Sequence, residues 1–171
     1  MGAPEIITEQ HELLTINTND SKWLEGLLHP GISVHPLFLD AHNGVWVLIV
    51  KIAPGVTLPV HFHTGTVHGY TLSGRWHYTE YTNQPQTAGC YLYEPGGSVH
   101  QFNTPADNTE ETVMFMVVTG ANINFAGPEQ GGAYMGVMDA GWIKSLVDKM
   151  IKDQRADRMN YISASMPTYT R

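Results

Sequence analysis

Apolar residues fall along much of this chain in short runs separated by polar and turn residues, the pattern of β-strands. They run over Gly44–Ala53, Val67–Leu72, Arg75–Tyr81, Cys90–Glu94, Thr112–Thr119 and Asn122–Phe125. Each is rich in Val, Ile, Thr or aromatic residues and ends at Gly, Pro or Asn, the residues that break strands and favour turns. Turn signals stand at Ala53-Pro54-Gly55, Ser73-Gly74, Pro95-Gly96-Gly97 and Asp107-Asn108. Many short strands between closely spaced turns predict an all-β sandwich or barrel rather than alternating β and α units.

Helical periodicity is confined to the ends. Ile143, Leu146, Val147, Met150 and Ile151 recur at helical spacing with charges between them, which predicts a peripheral helix over 140–155 with its apolar face on the barrel. A second short helix is expected from a cap at Asp20 or Ser21 through Leu27, stopped by Pro30-Gly31. Residues 1–30 read as an N-terminal arm of the kind that pairs with a neighbouring subunit. Residues 1–171 are expected to form a single domain.

Composition narrows the partners. The chain has 171 residues, 42% hydrophobic and 15% charged, with a formal net charge of -7 and no run of Lys or Arg. Nucleic acids and anionic membranes call for a basic footprint that is lacking here. The single cysteine, Cys90, rules out an internal disulfide framework and fits a reducing compartment. With no basic start followed by an apolar stretch, and no apolar window long enough to span a bilayer, a cytoplasmic location is expected. A homo-oligomer, by default a closed dimer, is the expected assembly.

The candidate chemistry lies mid-chain. In His61-Phe62-His63, residues i and i+2 of a strand point to one face, and two imidazoles about 6.7 Å apart at their Cα atoms can converge on one ion. His100 follows the tight turn Pro95-Gly96-Gly97. Neutral imidazoles suit Fe, Zn, Cu or Ni, and no thiolate cluster competes for softer metals.

The frame around these histidines resembles the two motifs of the cupin family. Gly55 is followed by five residues, then His61 and His63, and Gly74 closes the segment. Gly89 is followed by five residues, then Pro95, Gly97 and His100. The resemblance extends over Gly44 to Thr119. It implies a double-stranded β-helix (jelly-roll) barrel with His61, His63 and His100 as metal ligands. The chain departs from the family where the carboxylate ligand would stand, at Val67 or His68, and Thr104 takes the place of an Asn. His68 could supply a fourth nitrogen, or could orient a ligand or simply pack.

Within the cupins, the segments Gly69–Trp76, Tyr91–His100 and Asp107–Thr112 look like those of the three-histidine dioxygenases that cleave carbon–carbon bonds. That group includes the acetylacetone-cleaving (β-diketone) and 2,4'-dihydroxyacetophenone enzymes. The resemblance implies non-haem Fe(II), with Zn or another divalent metal able to occupy the isolated protein. It also implies a ketone or diketone substrate and O₂. Three neutral imidazoles without a carboxylate would leave the ion its full charge and favour an anionic, chelating enolate.

Smaller expectations concern single residues. On a strand over Arg75–Tyr81, Trp76, Tyr78 and Glu80 share a face, so Glu80 could reach the metal, orient a histidine or act as a base. A surface carboxylate is the alternative. Tyr70, Trp76, Tyr78, Phe102 and Phe115 could wall a pocket for an aromatic substrate, or serve only as core. Two other classes stay open: an O₂-independent metal-dependent lyase or isomerase, and a non-catalytic small-ligand- or metal-binding protein.

Overall fold

The structure is a computed structural model that describes residues 14–26, 29–127, 132–152 and 161–164. Among these residues it contains β1 (Leu24–Glu25), β2 (Ile32–Asp40), β3 (Val45–Ile52), β4 (Val60–His63), β5 (Val67–Ser73), β6 (Arg75–Tyr78) and β7 (Gln86–Thr87). These are followed by β8 (Tyr91–Glu94), β9 (Val99–His100), β10 (Phe102–Asn103), β11 (Thr112–Thr119), β12 (Asn122–Phe125) and β13 (Tyr134–Met138). Helix α1 (Ala140–Lys152) and β14 (Ile162–Ser163) complete the set.

A large sheet runs in the order β1-β2-β3-β11-β5-β8, with β14 added beside β2. A four-stranded sheet, β13-β12-β4-β9, and a three-stranded one, β10-β6-β7, complete the barrel. All the pairings are antiparallel except that of β14 with β2. Strand alternation sorts the side chains. Along β5, Val67, Gly69 and Thr71 face in while His68, Tyr70 and Leu72 face out. Trp46, Leu48, Met114, Val118 and Trp76 meet in one buried cluster with Ile143 and Val147 of α1. At about 25 cal/mol per Å² of apolar surface, burial of such side chains is the main force closing the barrel.

Gly74 makes the tight link between β5 and β6. Its φ of +74° is one that side chains disfavour, and a Cβ there would stand 2.6 Å from Thr112 Cα. Helix α1 begins where Asp139 Oδ1 accepts the Trp142 N–H at 2.7 Å. It packs against β2 and β13. The expected helix spanned 140–155, of which 153–155 lie outside the described residues.

The short helix expected from Asp20 or Ser21 is corrected over its described part. A 3-10 turn, Thr18–Asp20, precedes an extended segment, and Leu24 joins the large sheet opposite Val34 with no exposed surface. A helix of under two turns is marginal by itself, and burial of Leu24 in the sheet outweighs the capping signal. The strand expected through Tyr81 ends at Tyr78, followed by the 3-10 turn Thr79–Tyr81. Strands β1, β2, β7, β9, β10, β13 and β14 lacked a recognised signal, and β2 and β13 are the longest of them. β2 contains Pro36, and its register with β3 shifts between Pro36 and Phe38, a bulge that takes up the missing N–H. No helix among the described residues is long and apolar enough to cross a membrane.

Candidate metal centre

His61, His63 and His100 converge, all buried, with one ring nitrogen from each within 4.8 Å of the others. The geometry follows from the strands. His61 and His63 share the inward face of β4, and His61 is the register partner of His100 on β9. The His61 and His100 Nε2 atoms approach to 3.1 Å.

Burial favours the neutral imidazoles. It holds His61 below the usual histidine range and brings His63 and His100 down to about 3, with mutual repulsion among the rings adding to the effect for the latter two. His61 Nδ1 donates to the Pro59 carbonyl at 2.8 Å, so the neutral ring carries its lone pair on Nε2. Two donors about 2.0–2.1 Å from one ion, at angles between octahedral and tetrahedral, lie about 2.8–3.4 Å apart. The 3.1 Å approach of the two Nε2 atoms falls in that span. This donor set fits a divalent metal.

A carboxylate also faces the centre, and the sequence reading missed it. Glu94 Oε2 stands 3.4 Å from His63 Nε2 and 3.5 Å from His100 Nε2. Its other oxygen accepts the Tyr78 hydroxyl. Oε2 is buried without a hydrogen-bond partner among the described residues. Burial pushes the carboxyl up to about 7, although the Tyr78 hydrogen bond opposes the rise. Burial, reinforced by Glu94, also raises the Tyr78 hydroxyl well above the ordinary phenol value, so it stays a donor. No carboxylate was expected at Val67 or His68, and none stands there; Glu94 of β8 brings one beside the cluster from another strand. A signal was available in the alternation of β8, where Tyr91 and Tyr93 face out and Glu94 faces in.

The remaining expected residues divide by strand parity. Tyr78 and Phe102 line a cavity of about 100 Å³ together with His61, His63 and Glu94. The other walls include Trp46, Leu48, Met114, Met116 and Met138. Trp76 is fully buried behind this wall, stacked on Phe102 at 4.7 Å and donating through Nε1 to Thr71 Oγ1. Tyr70 and Phe115 instead lie paired on the outer face of the large sheet, 43% and 36% exposed. His68 is on that outer face too, with Nδ1 2.7 Å from the Tyr91 hydroxyl, and the structure does not bring it to the histidine cluster. Glu80 sits exposed on the 3-10 turn after β6, accepting the Gln101 N–H at 3.1 Å. Its charge acts on His61 and Tyr78 without contact.

Several solved structures share this architecture. A cupin-like protein of unknown function from Ralstonia eutropha JMP134 is 52% identical, with a TM-score of 0.87, covering 96% of this chain and 100% of its own. An RmlC-like cupin from the same organism is 22% identical over 83% of this chain and 88% of its own, with a TM-score of 0.75. An acetylacetone dioxygenase from Acinetobacter johnsonii aligns at a TM-score of 0.63, with 16% identity over 85% of this chain and 96% of its own. The last two likenesses speak for the fold alone. No curated protein is matched. The family profile described as the ChrR Cupin-like domain matches residues 11–123, and it is to this cupin family that the chain belongs.

Proposed function

We propose that this protein is a three-histidine, non-haem Fe(II) dioxygenase that cleaves a carbon–carbon bond of a small hydroxyketone or β-diketone with O₂. One observation carries the reading: three neutral imidazoles and a proton-accepting carboxylate meet at the polar end of an otherwise apolar cavity. Fold likeness to an acetylacetone dioxygenase agrees with it.

His61, His63 and His100 would hold the iron. When bound, it supplies Lewis acidity toward a chelating substrate and redox capacity toward O₂. Glu94, pushed up to about 7, is suited to take the proton that leaves as a ketone becomes its enolate, and to return it to a product. The Tyr78 hydroxyl fixes the orientation of the Glu94 carboxylate. Met114, Met116, Leu48 and Trp46 exclude water and accept the apolar part of the substrate. For 2,4'-dihydroxyacetophenone the balance is one ketone and one O₂ giving 4-hydroxybenzoate and formate, with one carbon–carbon bond broken and both oxygen atoms incorporated.

The test is oxygen uptake by Fe(II)-loaded protein with acetylacetone and 2,4'-dihydroxyacetophenone, using His100→Ala as control. Uptake that depends on iron and disappears in the variant is the expected result. Iron binding without uptake on either ketone would remove the proposed substrate class.

A second reading is favoured by Glu94 alone. A base with a pKa near 7 beside a Lewis acid also suits an O₂-independent lyase or isomerase. Turnover under strict anaerobiosis would select it.

The expected homo-oligomer would be a dimer of two copies joined through the outer face of the large sheet. Tyr70, Leu72, Tyr91, Tyr93 and Phe115 are 36–62% exposed there. Phe115 is registered with Tyr70, and Tyr70 with Tyr91. Together the five offer roughly 500 Å², a large part of the ~800 Å² per partner of a standard interface.

A further inference from the structure

A histidine that ligates a metal through one ring nitrogen almost always donates its other N–H to an acceptor, which fixes the ring and raises its basicity. Two of the three imidazoles meet this requirement. His61 Nδ1 donates to the Pro59 carbonyl at 2.8 Å. His100 has a hydrogen bond with the Ser98 backbone. The third does not, because His63 Nδ1 is buried with no partner among the described residues.

A complementary orphan lies beside it. Asn122 is 5% exposed, and its Oδ1 is buried without a partner among the described residues. Asn122 on β12 is the direct register partner of His63 on β4. Side chains opposed in this way carry Cβ atoms about 4.5–5.5 Å apart. Both residues line the same cavity. His63 Nε2 faces the centre, 3.4 Å from Glu94 Oε2. With Nε2 given to a metal, the neutral ring must carry its proton on Nδ1 and becomes a donor on that side. An unmet buried donor and an unmet buried acceptor each carry an uncompensated desolvation penalty, so a side-chain rotation that pairs them relieves both.

We propose that Asn122 is the positioning residue of His63, its amide oxygen accepting the Nδ1–H once Nε2 binds a divalent metal. This rests on the metal reading of the histidine cluster and not on the reaction assigned to it. Asn122 lies outside both histidine segments, so only the pairing of β12 with β4 brings it to the site.

The experiment measures zinc affinity by competition with a chromophoric chelator, in wild-type protein and in Asn122→Leu, Asn122→Ala and Asn122→Asp. Thermal melts of the metal-free variants select those that are folded. The expected result is a 10- to 100-fold loss of zinc affinity in the Leu and Ala variants. Asp, which keeps an acceptor, should restore the affinity. In a His63→Ala background, removing Asn122 should cause no further loss. A merely structural asparagine would show the opposite, since a buried Asp would be at least as harmful as Leu. Wild-type affinity in folded Leu or Ala variants overturns the proposal, as does failure of Asp to rescue or an undiminished loss without His63. Wild-type protein that takes up no zinc overturns the metal reading itself, an outcome distinct from zinc uptake indifferent to Asn122.

Discussion

The Tyr78 hydroxyl donates to one oxygen of Glu94, and this leaves the other oxygen of that carboxylate facing His63 and His100 at 3.4 and 3.5 Å. The tyrosine thereby decides which oxygen is free and favours its charge. Burial acts against that charge more strongly.

Glu94→Gln keeps the shape and removes the base. If Glu94 moves the substrate proton, kcat should fall about 10²- to 10⁴-fold with little change in folding. Tyr78→Phe should act more mildly. It removes the hydrogen bond that lowers the Glu94 pKa, so the acidic limb of the rate profile should move to higher pH. Steady-state rates from pH 5 to 9 check both.

Metal uptake should release protons in a way that identifies their source. At pH 6 the imidazoles are already neutral, with His63 and His100 near 3, while a Glu94 carboxyl near 7 is mostly protonated. Zinc binding at pH 6 should therefore release nearly one proton, and much less at pH 8. Calorimetry in buffers of different ionisation enthalpy measures this, and Glu94→Gln should abolish the release.

The metal-free protein should be acid-sensitive. His63 and His100 have folded pKa values depressed below the free value, so between about 6.5 and 3 the unfolded chain binds more protons than the folded one. Buried His35 and His61, shifted the same way, add to this. Stability is then retained above about 6.5 and falls as pH drops through that window. Glu94 has the opposite sign: raised to about 7, it favours the folded state at acid pH and offsets part of the loss. Urea titrations at pH 7.5, 5.5 and 4.5 should show a decreasing midpoint, with a steeper fall in Glu94→Gln.

Gly74→Ala should destabilise the barrel by at least about 1–3 kcal/mol, from the positive φ and from the approach to Thr112 Cα. The urea midpoint of the variant against wild type gives the value.

If the outer aromatic face joins two copies, Tyr91→Glu with Phe115→Glu should give a monomer by light scattering. Both positions reach solvent in the isolated subunit, 62% and 36% exposed, so the variant should remain folded, which a thermal melt checks.

Much of this was legible in the chain. The three histidines could be placed because each lies in a spaced frame of glycines and a proline, and backbone constraints of that kind survive without knowledge of the tertiary structure. Four strands of the large sheet, β3, β5, β8 and β11, showed through their Val, Ile, Thr and aromatic content between turn residues. Side-chain parity was harder to assign. Nothing local told whether Tyr70 or Trp76 faces inward, since both occupy aromatic strand positions and only the pairing of β5 with β11 and β8, and of β6 with β10 and β7, decides. Glu94 was overlooked because the family frame directed attention to Val67 and His68. Asn122 carries no motif at all. Its place depends on a partner strand about sixty residues earlier in the chain. β2 was obscured by a proline that the sheet absorbs with a bulge.

The three histidines belong to the small sheet and Glu94 to the large one, two ladders with no backbone pairing between them at this point. An ion gripped from both sides would work as a mechanical rivet, pinning the two walls of the barrel at one end. Its departure would remove that pin while β8 stays laddered to β5, so loading the centre would stiffen this end of the barrel.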